Sequence, residues 1–148
     1  MSRLKLVDYR RAVQALKNYD YNFKNARIIF YDILNLDSAP LGETRGIGER
    51  TDTVANKVIR LDDDVELKEY VRQYMAVKNT LESINKDSKR LFEHYYRQNE
   101  SKWKVMEKIN LAERTFGRRK QELIYSVDKE LKKLDTINAI GNFSKEFL

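Results

Sequence analysis

The chain has 148 residues, 41% hydrophobic and 35% charged, with a net charge of +6 and a mean hydropathy of -0.72. That length allows one modest core, and the charge-rich balance suits a helical protein better than an enzyme built around a large buried pocket. The absence of Cys excludes disulfides, thiolate metal sites and cysteine nucleophiles, and no apolar run has the length of a membrane span or the form of a signal peptide, so a cytoplasmic protein is expected.

Five Gly and one Pro leave little material for turns, which predicts long helices and an all-α fold. From Tyr9 the apolar positions run Tyr9, Ala12, Leu16, Tyr19, Phe23, Ala26, Phe30 and Ile33, in alternating steps of three and four. This is the seam of a helix that packs on another helix, and no Gly or Pro interrupts it before Pro40. Residues 37–50, DSAPLGETRGIGER, hold the only Pro and three of the Gly, which predicts a loop. Thr51 or Asp52 then caps a second helix with Val54, Val58, Leu61 and Val65 on one face. Its stripe slips at Asp62, Asp63 and Asp64 and resumes as Leu67, Val71, Tyr74, Leu81 and Ile84. The simplest packing is a long antiparallel hairpin over residues 1–85 with the glycine loop at its tip.

Asn85, Asp87 and Ser88 break the pattern before a third helix that contains Leu91, Phe92, Tyr95 and Tyr96. Asn99–Ser101 form a corner, and Ser101 is a suitable N-cap for residues 102–109. A final helix is predicted from about Glu113 to Leu134, with Phe116, Leu123, Val127, Leu131 and Leu134 inward. Residues 135–148 read as a C-terminal tail.

The stretch SKWKVMEKINLAERTFGRRK (101–120) sets Trp103, Val105, Met106, Ile109, Leu111 and Phe116 at spacings that suit two helices meeting at a corner. A helix-turn-helix needs apolar residues at the fourth and eighth positions of its first helix, a residue that tolerates a left-handed backbone in the turn, and apolar anchors beyond it. Val105 and Ile109, Asn110, and Leu111 and Phe116 fill those places. Met106 stands where a small residue normally lets the helices approach, and Ala112 where a Ser or Thr cap is common, which predicts wider packing and a weaker cap.

Charge is concentrated in the same segment. Residues 1–85 carry 14 Lys/Arg against 13 Asp/Glu, residues 86–134 carry 14 against 8, and residues 135–148 carry 1 against 2, for net charges of +1, +6 and -1. A cationic module of residues 86–134 attached to a near-neutral one is the electrostatic footprint of a polyanion binder. With Phe116 inward on a helical wheel, Arg114, Arg118, Gln121 and Tyr125 face outward. Arg114, Arg118 and Gln121 are the candidates for reading base edges in a major groove, the two arginines for guanine. Lys102, Lys104, Thr115, Arg119 and Lys120 are the candidates for phosphate contact, which positions the protein without reading sequence. Gly117 has no packing role on this wheel and would let a phosphate backbone come close. The plainer alternative is an ordinary helical corner with solvated basic residues.

No enzyme, metal site or cofactor is expected. His94 is the only His, Asp62–Asp64 would point in different directions on a helix, and GETRGIG (42–48) lacks the Lys-Ser/Thr that seats a nucleotide.

Residues 87–134 resemble the helix-turn-helix in the fourth region of bacterial sigma factors, through LFEHYY (91–96), KVMEKINLAERTF (104–116) and LKKL (131–134). The chain from about 5 to 134 also resembles phage late-gene transcription regulators of the RinA and ArpU type, through APLGETRGIGERTDTVANKVIRL (39–61) and NESKWKVMEKINLAERTFGRRK (99–120). The resemblance implies sequence-specific binding of double-stranded DNA, activation of late genes through bacterial RNA polymerase, and a hairpin that positions either the polymerase or a second copy. Two other readings remain open from the residues: a phage terminase small subunit, which joins a helix-turn-helix to long helices in a ring, and a coiled-coil adaptor whose basic end meets an acidic protein.

Overall fold

The structure is a computed structural model that describes residues 4–34, 64–134 and 136–146, and every regular element among them is helical. The elements are α1 (Leu6–Lys17), α2 (Tyr19–Leu34), α3 (Val65–Ser83), α4 (Lys86–Leu91) continuing as a π-helical turn (Phe92–Arg97), α5 (Lys102–Ile109), α6 (Glu113–Lys133) and α7 (Thr136–Ser144).

The seam predicted for one long first helix is divided. Asn18 leaves helical geometry at φ -101° and ψ 21°, although its N–H still donates to Gln14 O at 2.9 Å and its carbonyl accepts from Asn22 N at 2.7 Å. The break marks a change of partner. Ala12, Ala15 and Leu16 of α1 belong to one core cluster, whereas Ala26, Phe30 and Ile33 of α2 belong to another. Tyr19 packs against both, stacking on Tyr74 at 4.8 Å between centroids and meeting Phe92 edge-on at 5.3 Å. Tyr9, counted in the seam, is exposed.

The glycine loop and the helix predicted from Thr51 or Asp52 lie outside the described residues. Asp64 starts α3 as an N-cap, its side chain accepting from Leu67 N at 2.8 Å, so Val65 falls in the first turn and points to solvent instead of continuing an apolar face. α3 then packs along α2 through Leu67, Val71 and Tyr74, and contributes Ala76 and Val77 to the cluster that includes α1.

Asn85 caps α4, accepting from Ser88 N at 2.9 Å. The π-turn that follows has wider winding, with Gln98 N–H donating to Glu93 O at 3.0 Å, and it buries Phe92 and Tyr96. Ser101 caps α5 through Lys104 N at 3.3 Å. Leu91, Phe92, Tyr96, Val105, Ile109, Phe116, Leu123, Ile124, Val127 and Leu131 close the first cluster around α1 and α3, so this core is built from both sides of residue 85.

The far end of α6 is fixed from two sides. Arg72 of α3 donates two hydrogen bonds to Leu131 O, at 3.1 and 2.7 Å, and Lys132 bridges Asp128 at 3.0 Å and Asp8 of α1 at 3.3 Å. Residues 136–144, for which the sequence predicts no element, form α7, which packs on α3 and buries Ala139, Ile140 and Phe143 in the second cluster.

Candidate nucleic-acid interface

The site is the corner between α5 and α6. Asn110 ends α5 in the left-handed region at φ 55° and ψ 52°, the conformation that Asn adopts more readily than most residues with a side chain. Leu111 N–H then donates to Met106 O at 3.0 Å, closing the turn. Val105 and Ile109 on one side of the corner and Phe116 on the other are buried, and Met106, the bulky residue at the approach, is half-buried beside them. Ala112 makes no side-chain cap for α6, so the first N–H groups of that helix are not answered by a capping side chain.

Burial of Phe116 rotates the opposite side of α6 outward. Arg114, Gly117, Arg118 and Gln121, at steps of three, one and three, are all exposed and form one continuous strip along the first three turns. Neither Arg114 nor Arg118 forms a hydrogen bond or ion pair among the described residues. A Cβ placed on Gly117 would meet nothing within 4 Å, so the strip has a gap in its middle where the helix backbone is open. Further along, Arg118 and Gln121 also form one wall of a groove of about 970 Å³ whose other wall is Leu4 and the start of α1, with Leu6 and Tyr9.

The residues assigned to phosphate contact are placed differently. Lys102 Nζ lies 2.7 Å from Glu113 Oε2 and bridges the start of α5 to the start of α6. Arg119 donates to both carboxylate oxygens of Glu122, one turn further along α6, at 3.3 and 3.0 Å, while Asn85 donates to the same carboxylate at 3.3 Å, so Glu122 engages this arginine and also ties α6 to the beginning of α4. The Lys120 ammonium stands 5.4 Å from the centroid of the Tyr95 ring. Thr115 is half-buried, and Lys104 extends into solvent with its ammonium 3.7 Å from Glu100.

Glu100 organises the back of the corner. It follows Asn99, a second left-handed residue at φ 54°, and receives His94 Nδ1 at 2.9 Å and Lys108 Nζ at 2.7 Å on separate oxygens. The Lys108 bond first, with His94 and Lys104 behind it, holds the Glu100 carboxyl below the ordinary glutamate range. The carboxylate thereby joins the π-turn to α5 and neutralises part of the local positive charge.

The sequence profile of the DUF722 family, described as proteins of unknown function, matches residues 35–136. The chain belongs to the DUF722 family. No curated protein and no solved structure matches the chain significantly. The DUF722 span contains every candidate contact residue and all of α3, α4, α5 and α6, but not α1, whose Ala12, Ala15 and Leu16 complete the core on which α6 rests. In this DUF722 chain the corner therefore depends on a helix from outside the matched segment.

Two residues near the site carry no signal that a wheel could separate from core or solvent. Trp103 is counted among the apolar positions of the corner, yet it is 64% exposed. Arg90, an ordinary surface cation of α4, reaches the C-terminal end of α5, with Nη2 at 3.4 Å from Lys108 O. Among the described residues no group of three or more His, Asp or Glu is arranged to hold a metal ion, and no helix is long and apolar enough to cross a membrane.

Proposed function

We propose that the protein is a sequence-specific DNA-binding transcription regulator in which α5 and α6 act as a helix-turn-helix and α6 enters the major groove of double-stranded DNA. The observation that carries this reading is the open strip of Arg114, Gly117, Arg118 and Gln121 on the first three turns of α6. Two unpaired guanidinium groups one turn apart match the acceptors O6 and N7 that guanine presents in that groove, and Gln121 offers the donor and acceptor that suit adenine.

Electrostatics favour the same partner. The net charge of +6 lies in residues 86–134, and the N-terminal end of α6 adds the positive end of a helix dipole with no capping side chain. Lys104 is the phosphate contact left most open. Lys102, Arg119 and Lys120 are already engaged by Glu113, by Glu122 and by the Tyr95 ring, so their contribution to the salt dependence is smaller. The likeness to phage late-gene regulators supports an activator that meets bacterial RNA polymerase through its other helices.

Binding of labelled duplexes, followed by fluorescence anisotropy over a range of salt, tests the reading. Arg118→Ala should cost about 1 to 3 kcal/mol on the preferred duplex and relax discrimination at one base pair. Lys104→Ala should weaken all duplexes similarly and reduce the salt slope by about 0.9. Equal affinity of the unmodified protein for unrelated duplexes at physiological salt would rule out sequence-specific regulation.

A further inference from the structure

Trp103 is the only Trp in the chain and one of its most exposed large apolar side chains. Val105 and Ile109 take the buried side of α5, which leaves Trp103 on the outer side, beyond reach of the core. Its ring is nevertheless held in place. The Lys102 ammonium stands 5.1 Å from the ring centroid, and the same ammonium bonds Glu113 at 2.7 Å. The indole is therefore tethered beside the first turn of α6, one residue from Arg114. A tryptophan left in water forgoes the burial that normally places this residue inside, and a cation that orders the ring adds the cost of its own ordering.

The surroundings indicate what covers the ring. Lys102 and Lys104 flank it in sequence, and the arginine strip of α6 begins at Arg114, the residue after Glu113; the carboxylates at this edge are Glu113, engaged by Lys102, Glu100, 3.7 Å from the Lys104 ammonium, and the exposed Glu107. An apolar plane edged by cations complements a polymer whose apolar sugar faces alternate with phosphates. Continuity with Arg114 and Arg118 places that polymer on the duplex read by α6.

We infer that Trp103 packs on the deoxyribose-phosphate backbone flanking the base pairs read by α6, as a neutral contact that positions the corner on DNA. The inference rests on the DNA-binding reading above. It adds a contact that strengthens binding without releasing counterions.

Because the chain has a single Trp, indole emission excited to the red of the tyrosine absorption band reports on this site alone. Titration of the full chain with the preferred duplex should shift or quench the emission with the same midpoint as anisotropy. Trp103→Ala should weaken binding by roughly five- to tenfold while leaving the slope of log K against log salt unchanged, since an uncharged ring displaces no ions. Trp103→Phe should recover part of the loss. Thermal melts of both variants should stay close to the unmodified protein, because the ring is mostly outside the core. Duplex binding with unmoved emission, or with full affinity in Trp103→Ala, would overturn the inference while leaving the DNA-binding reading intact. Binding to RNA polymerase that Trp103→Ala abolishes, with duplex affinity unchanged, would assign the ring to a protein partner and overturn it as well. A chain that binds no duplex by anisotropy would remove the DNA-binding reading itself, and this contact with it.

Discussion

The rings of Tyr95 and Phe116 meet edge-to-face, 5.4 Å between centroids and 88° between planes. This contact joins the π-turn to the second helix of the corner. Phe116 is almost fully buried, and its position fixes which side of α6 turns outward. Phe116→Ala should therefore destabilise the fold by about 3 to 5 kcal/mol, whereas Phe116→Leu, closer in volume, should cost about 1.5 kcal/mol or less. Urea unfolding would measure both. A loss of under about 1 kcal/mol for the alanine variant would show that the ring does not anchor α6.

Gly117 separates stability from binding. Its backbone has no positive φ, and nothing packs where a Cβ would go. Gly117→Ala should stabilise α6 by about 0.5 to 1 kcal/mol and raise Tm by about 2 to 4 °C, because Gly gives up more backbone freedom than Ala in a helix. If the duplex backbone or a base edge approaches the open strip at this point, the added methyl group should weaken DNA binding even as the protein becomes more stable. Paired melting and anisotropy measurements would reveal that opposition. Affinity equal to the unmodified protein would place the nucleic acid further from the helix backbone.

The Glu100 cluster predicts a pH dependence. Its carboxyl is held below the ordinary value of 4.5 by Lys108 first, then His94 and Lys104. A carboxyl depressed in the folded state stabilises that state at pH above 4.5, and the contribution is lost as pH falls through the lower folded value. Glu100→Gln should thus lower Tm at pH 7, and the gap between the two proteins should close as pH falls below 4.5. Thermal melts at several pH values test this sign; a gap that widens in acid would contradict the arrangement. The same substitution removes the partner of Lys104 and Lys108, so duplex affinity at low salt should rise.

The parts of the fold that are readable from sequence are those with local chemistry at their ends. Ser101 caps a helix where it is expected to, Asn110 takes the left-handed turn, and Asn85, read only as a break in the pattern, caps α4. The break at Asn18 has no such mark. It arises because α1 and α2 serve different cores, a tertiary cause that no residue at the junction announces. The helix α7 is concealed by its short length and by Gly141 in its interior, yet Phe143 finds Phe23 at 5.7 Å and Tyr74 at 5.6 Å once α3 is in place. Packing of α1 on α6 is equally invisible locally, since it depends on Lys132 meeting Asp8 and on aligned buried stripes far apart in the chain.

The candidate site follows the same division. Outward placement of Arg114, Arg118 and Gln121 follows from helical period once Phe116 is inward, and their exposure agrees with it. Which basic residues are engaged by carboxylates depends on neighbours brought by the fold. Lys102 and Arg119 look like surface cations in sequence, but Glu113 and Glu122 hold them.

The central claim is that α6 reads bases through Arg114 and Arg118, and selection of bound fragments from a random pool of double-stranded DNA, at physiological salt, tests it most directly. The account predicts enrichment of a short motif containing guanine, lost or changed at defined positions in the Arg114→Ala and Arg118→Ala proteins. A pool that stays random after repeated rounds, or the same motif recovered by both arginine variants, would contradict it.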